Sequence, residues 1–245
     1  MSSETITNPI CFALDLPSKD DADRYIHLLE DHVGAFKVGL ELFIASGKLP
    51  TPQQTARPII LDLKLHDIPR TVARAVAAAG DLGVKFVTMH IQQRATMEAA
   101  ARAAEPFGIR LLGVTVLTSM QGEDLEDLSM GPSTSVSARV GFLSGYAAAL
   151  GVNDFVCSPR EVATLRRGAP DRFLLVPGIR PLDTGTLRQA SAVLRAAGVV
   201  MPDDQQRIGT PKQAMADGAS MIVVGSPIRD AFDPAAAAQS ILASI

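Results

Sequence analysis

The stretch PIILDLKLHDIPRT, residues 58–71, decides how this chain is read. Its first seven residues form a β-prone apolar run that carries one carboxylate and one ammonium. Pro69 then sits where a helix over 70–82 would begin. Along a strand, residues two apart share a face, so Asp62 and Lys64 are expected to point together, with Leu61 and Leu63 facing away. Asp67 follows just off the strand end. A charge on an apolar strand is costly to bury unless it is paired, so these side chains need partners or a purpose.

On either side of this stretch, the same alternation recurs. Short apolar runs at 10–16, 35–39, 58–64, 85–90, 110–117, 154–158, 172–178 and 220–225 read as eight strands. They are apolar rather than strictly alternating, as in parallel strands covered on both faces. Helical stretches lie near 19–31, 40–47, 70–82, 94–105, 135–150, 159–167, 210–217 and 233–243. Ser18 with Asp21 resembles a capping box, and Pro69 and Pro159 suit helix starts. Eight strand-then-helix units without a linker-like break predict one α/β domain over 1–245, a (β/α)8 TIM barrel. An open doubly wound sheet is the alternative, but no Gly-rich phosphate turn follows the first strand.

In such a barrel the C-terminal strand ends form the mouth. Asp15 ends the first strand, Lys37 lies on the second, and Asp62, Lys64 and Asp67 close the third. Charges of alternating sign on three successive strands can form a salt-bridge layer, but their convergence on one rim fits catalysis better. Two connections exceed what the scaffold needs. One runs from Thr118 to about Thr134, and the other, 181–209, suits a lid on the phosphate side.

Composition removes other classes. The 245 residues carry a net charge of −3 and are 47% apolar, without the basic face of a generic nucleic-acid binder. An anionic small molecule stays possible, because a few convergent cations reverse a local field. The opening MSSETITNP lacks a signal-peptide pattern, and no window approaches eighteen continuous apolar residues. Cys11 and Cys157 lie in strand-like runs and read as buried thiols. The four histidines have no two-His ligand spacing. The expectation is a cytoplasmic protein with no metal, no nucleic acid and no membrane.

The motif ILDLKLHDIP, with ALDLP around Asp15, FKVGLELF around Lys37, VTVLTSM, VCSPRE, VPGIRP and IVVG, closely resembles the orotidine 5′-monophosphate decarboxylase family. The resemblance runs in order along almost the whole chain. It implies a homodimeric, cofactor-free (β/α)8 barrel that converts orotidine monophosphate (OMP) to uridine monophosphate (UMP) and carbon dioxide. By that resemblance Lys37, Asp62, Lys64 and Asp67 are the catalytic array, and Asp67 and Thr71 reach the partner's site. Asp15 would bind ribose hydroxyls and Thr118 would flank the pyrimidine. Pro177, Arg180, Gly225 and Ser226 would belong to the phosphate end, with Gln205 from the long loop. Gln206 is the alternative to Gln205.

Loss of carbon dioxide leaves an electron pair in an sp² orbital at carbon six, with no adjacent carbonyl to take it up. Fixed charge and a prompt proton must then do the work. Lys64 is assigned as donor. One departure stands out: the family usually has VVGRPI, with Arg on the phosphate, where this chain has VVGSPI with Ser226. A hydroxyl cannot replace that charge, so Arg207 and Arg229 are the candidate substitutes. His66 and His90 are expected to be hydrogen-bonded neighbours of the site. A related magnesium-dependent sugar-phosphate enzyme and a non-catalytic nucleotide-binding barrel are the competing readings.

Overall fold

The computed structural model describes residues 7–51, 53–120, 123–125, 135–181 and 207–245. Eight strands are present: β1 (Ile10–Ala13), β2 (Ala35–Gly39), β3 (Ile59–Leu65), β4 (Phe86–His90), β5 (Arg110–Val114), β6 (Asp154–Val156), β7 (Leu174–Val176) and β8 (Met221–Val224). All neighbouring pairs are parallel, and β8 returns to β1 through Ile10–Ile222, Cys11–Val223 and Phe12–Val224. The sheet is a closed barrel, so the open doubly wound alternative is excluded.

Helices on the outside are α1 (Lys19–Leu29), α2 (Leu40–Ser46), α3 (Pro69–Asp81), α4 (Arg94–Ala104), α5 (Val136–Ala148), α6 (Val162–Gly168), α7 (Pro211–Ala216), the short α8 (Ser226–Arg229) and α9 (Pro234–Ala243). Ser18 Oγ accepts from the Asp21 N–H at 3.1 Å and so starts α1. Pro69 opens α3, whose buried stripe Val72, Val76 and Ala79 has the spacing of one helix face. The expectation that Pro159 opens a helix is corrected. Glu161 turns back to bond the N–H of Ser158 at 3.1 Å, and α6 begins only at Val162.

The strands pack against two separate cores, one on each face of the sheet. Outward residues such as Ile10, Phe12, Phe36, Val38 and Leu61 pack under the helices. Inward residues Cys11, Ala13, Ala35, Ile60, Phe86, Leu112, Phe173, Leu175, Met221 and Val223 fill the barrel. Phe12, Phe36 and Phe155 are fully buried, each worth about 1.5–3 kcal/mol against exposure. Phe86 and Phe173 meet at 4.9 Å between ring centroids, and Arg110 stacks over Phe173 while pairing with Asp154 at 2.8 Å. The bottom of the barrel is thereby plugged by two aromatic rings and the Arg110–Asp154 pair. Both cysteines are free and buried, and burial pushes their thiols far above the ordinary range. Among the described residues no helix is long and apolar enough to cross a membrane.

Candidate active site

The inward row of β2 runs Ala35, Lys37, Gly39, and that of β3 passes through Ile60 to Asp62. Small residues on β1, Cys11 and Ala13, leave room beside them. The result is a continuous chain of charges. Lys37 Nζ donates to Asp15 Oδ1 at 2.9 Å and lies 3.3 Å from Asp62 Oδ2, while Lys64 Nζ donates to Asp62 Oδ1 at 3.0 Å. Exposure grades along it: the Lys37 and Asp62 side chains are 10% and 12% accessible, Lys64 and Asp15 32% and 47%. The centre is locked inside and the two ends face the mouth.

Electrostatics follow from that burial. Desolvation pulls the Lys37 ammonium down, but Asp62 and Asp15 outweigh it and hold the group above the ordinary lysine range. Desolvation likewise pushes Asp62 up, yet Lys37 and Lys64, with hydrogen bonds from Lys64 and Thr88, keep its carboxyl below the usual range. Both central groups are therefore fixed in their charged forms at neutral pH.

Lys64 and Asp62 meet, but not by simple alternation along the strand. Register with β4 passes from Leu61–Val87 directly to Leu65–Met89, so β3 bulges there. Lys64 has φ +49°, the one left-handed non-glycine residue among those described. A side chain in that region costs about 1–2 kcal/mol, and such strain gathers at functional sites. The Lys64 N–H donates to Thr88 Oγ1 at 2.9 Å, and that hydroxyl donates to Asp62 Oδ1, also at 2.9 Å. Thr88 is fully buried and escaped the reading of the sequence. Its signal was present: a hydroxyl on the inward row of β4, two residues after Phe86.

Gly39 also escaped that reading. A Cβ at this position would lie 2.8 Å from Asp15 Oδ1 and 3.2 Å from Lys37 Nζ, so only glycine leaves the pair undisturbed.

Asp67 is not part of the chain of charges within one subunit. It is exposed, and its Oδ1 accepts from the N–H of Ile68 at 2.6 Å. Thr71 is exposed on the first turn of α3. His66 and His90 pack ring against ring at 5.3 Å. The expected hydrogen bonds to them are not found among the described residues. Burial, then His66 and Lys64, hold His90 below the ordinary histidine range, so its ring is neutral near pH 7.

Across the mouth, the ends of β7 and β8 carry the other set of residues. Pro177 and Arg180 leave β7 in a segment tied to the returning chain, where Arg180 N donates to Gly209 O at 2.9 Å and Gly209 N to Gly178 O at 3.1 Å. Gly209 passes so near Pro159 that a Cβ would stand 2.5 Å from the proline Cβ. Gly225 caps α8, and Ser226 is its first residue. Thr118 lies in the turn beyond β5 and is partly buried. Gln205 and Gln206, with most of the 181–209 connection, lie outside the described residues.

The two candidate substitutes for an arginine at 226 have different fates. Arg207 is buried: Nη1 donates to Glu161 Oε1 at 2.9 Å, and Nη2 donates to the carbonyls of Val116 and Leu117 at 2.7 and 2.9 Å. Its guanidinium is engaged in joining three loops. Arg229, at the end of α8, is clamped by Asp230 at 2.6 and 3.1 Å and points Nη1 at the carbonyl of Asp15, 3.3 Å away. It stands on the rim between β8 and β1.

A closed eight-stranded barrel with its charges at the C-terminal strand ends has the architecture of a (β/α)8 enzyme. The family model for "Orotidine 5'-phosphate decarboxylase / HUMPS family" matches residues 8–241, and the chain belongs to that family. A relative in Desulfosudis oleivorans, named orotidine 5'-phosphate decarboxylase, is 42% identical over 243 residues, covering 96% of this chain and 92% of the relative. One of the same name in Rhodopseudomonas palustris (strain BisB5) is 44% identical over 239 residues, covering 95% and 92%. The solved orotidine 5'-phosphate decarboxylase of Lactobacillus acidophilus superposes with a TM-score of 0.77 at 31% identity, covering 97% of this chain and 98% of that one.

Proposed function

We propose that this chain decarboxylates orotidine 5′-monophosphate to uridine 5′-monophosphate and carbon dioxide, in the cytoplasm, as a step of pyrimidine nucleotide synthesis. The observation that carries the reading is the alternating chain Asp15–Lys37–Asp62–Lys64, with its buried centre and its accessible lysine end.

In the reaction the bond between carbon six and the carboxylate breaks, carbon dioxide leaves, and the electron pair stays on carbon six. The Lys64 ammonium faces this developing charge and transfers its proton to the carbon, leaving a neutral amine that solvent reprotonates. Asp62 holds Lys64 in place and Lys37 holds Asp62. The site is thus organised before substrate arrives, and little reorganisation is needed during bond breaking. Asp15 meets the ribose and Thr118 the pyrimidine. Pro177, Arg180, Gly225, Ser226 and Gln205 belong to the phosphate end, where Arg229 supplies the cation that Ser226 cannot.

The working unit is a homodimer in which Asp67 and Thr71 complete the partner's site. In support, both are exposed, and Ile68 between them is 61% accessible. On α2, Leu40 and Ile44 are 51% and 76% accessible, an apolar surface left uncovered among the described residues. The catalytic steps draw on side chains alone, unlike those of the magnesium-dependent sugar-phosphate enzymes. Purified protein should therefore convert OMP to UMP after exhaustive chelation. Loss of activity on chelation, restored by magnesium, would overturn the cofactor-free reading; absence of OMP turnover in both conditions would overturn the assignment.

A further inference from the structure

Opposite the β3 bulge, two residues of β4 span the distance that four residues of β3 cover, from Leu61–Val87 to Leu65–Met89. A bulge of this kind leaves backbone groups without ladder partners. The Lys64 N–H is such a group, and it finds the Thr88 hydroxyl at 2.9 Å. The direction of the bonds is fixed by chemistry. An amide N–H can only donate and an ionised carboxylate can only accept, so the single Thr88 proton must point to Asp62 Oδ1. That same Oδ1 receives the Lys64 ammonium at 3.0 Å. One buried hydroxyl therefore grips Lys64 by its backbone and Asp62 by the oxygen that Lys64 also holds.

We propose that Thr88 is a positioning residue for the proton donor: its hydroxyl holds Lys64 in its left-handed conformation and aims Asp62 Oδ1 at the ammonium. This rests on the reading of Lys64 as donor. Thr88 lies beneath that pair on the fully buried part of β4, and it is assigned no contact with substrate. Its loss should disturb proton delivery while leaving the nucleotide-binding residues in place.

The test compares Thr88→Val, which keeps the shape and removes the hydroxyl, with Thr88→Ser, which keeps the hydroxyl and removes a methyl. Thr88→Val should lower kcat roughly ten- to hundredfold, the scale of a lost hydrogen bond to a charged group. KM for OMP and the UMP dissociation constant should stay within about threefold of the parent, a loss confined to the chemical step. Thr88→Ser should recover to within about threefold of the parental kcat.

A pH profile separates this role from simple packing. Asp62 is faced by Lys37 from β2, by Lys64 on its own strand and by Thr88 from β4. Asp15, Cys11 and the neutral His90 are the other titratable groups nearby. With the hydroxyl gone, one bond that favours the carboxylate disappears, so the acid limb of kcat should move to higher pH in Thr88→Val and return in Thr88→Ser.

An unchanged kcat in Thr88→Val, or a Thr88→Ser variant as impaired as Thr88→Val, would overturn the proposal. An unmoved acid limb would do the same. Should the valine protein fail to fold, Thr88→Ser against Thr88→Ala provides the same comparison, with the serine protein alone expected to keep kcat and the acid limb. Lys64→Ala serves as the control. If it is inactive while Thr88→Val matches the parent, the donor reading stands and this inference falls. If Lys64→Ala keeps the parental rate, both fall.

Discussion

Lys37 Nζ lies 3.3 Å from Asp62 Oδ2 in the buried part of the barrel mouth, and each group makes the other's charge tolerable there. Asp62 titrates below its unfolded value and Lys37 above its own. A depressed carboxyl contributes stability above its unfolded pKa, near 3.9, and loses it as pH falls through the folded value. A raised ammonium contributes below its unfolded pKa, near 10.4, and loses it as pH rises through the folded one. The pair therefore stabilises the fold across about pH 4–10 and weakens beyond either end. Denaturant unfolding of the parent should show this plateau, and Asp62→Asn should flatten the acid side. An acid slope that survives in Asp62→Asn would place the titrating group elsewhere.

Gly39→Ala tests the packing of the array without removing any charge. Its Cβ would stand 2.8 Å from Asp15 Oδ1, so the Asp15–Lys37 bond must open or shift. The neighbouring atoms are side-chain ends that can move, so the fold should survive with a Tm close to the parent's. Turnover should fall by about tenfold or more, on the scale of one displaced charged hydrogen bond. Unimpaired turnover would show that this bond is dispensable.

Arg207 and Arg229 should separate stability from substrate binding. Arg207→Met strands Glu161 and two carbonyls in the interior, and breaking such a pair costs about 3–5 kcal/mol in unfolding experiments. Arg229→Met should leave the unfolding midpoint nearly unchanged while raising KM for OMP by about ten- to hundredfold. Adding Ser226→Arg to it should restore KM. A normal KM in Arg229→Met would show that Arg180 or another group meets the phosphate unaided.

Mixed subunits test the shared site. Asp67→Ala and Lys64→Ala chains should each be inactive alone, and after subunit exchange should recover about a quarter of parental activity, because half the dimers hold one intact site. No recovery after demonstrated exchange would place each site within a single subunit.

Much of this was legible in the residues themselves. Eight apolar runs separated by helical stretches point to the closed barrel, and charges on three successive strands point to the array, although Lys64 reaches Asp62 through the β3 bulge and not by the expected alternation. What stayed hidden depends on neighbours far along the chain. The left-handed Lys64 exists because β4 supplies Thr88, which strand alternation on β3 alone cannot reveal. The short α8 is only four residues long, below what hydrophobic periodicity resolves. Arg207 stands among the candidate phosphate cations of the sequence because its partner Glu161 is 46 residues away and gives no local signal. The delayed start of α6 has a similar origin: Glu161 bonds back to Ser158, and the segment behind Pro159 is a turn.

The proposed reaction turns on Lys64, held by Asp62, as the group that protonates carbon six. The direct measurement follows OMP absorbance with purified parent and Lys64→Ala, with UMP affinity measured on both to show an intact site. Rapid loss of OMP is expected for the parent and at least a hundredfold slower turnover for the variant, the lower range of what a positioned acid contributes, with UMP still bound. A Lys64→Ala protein that consumes OMP at the parental rate would contradict it.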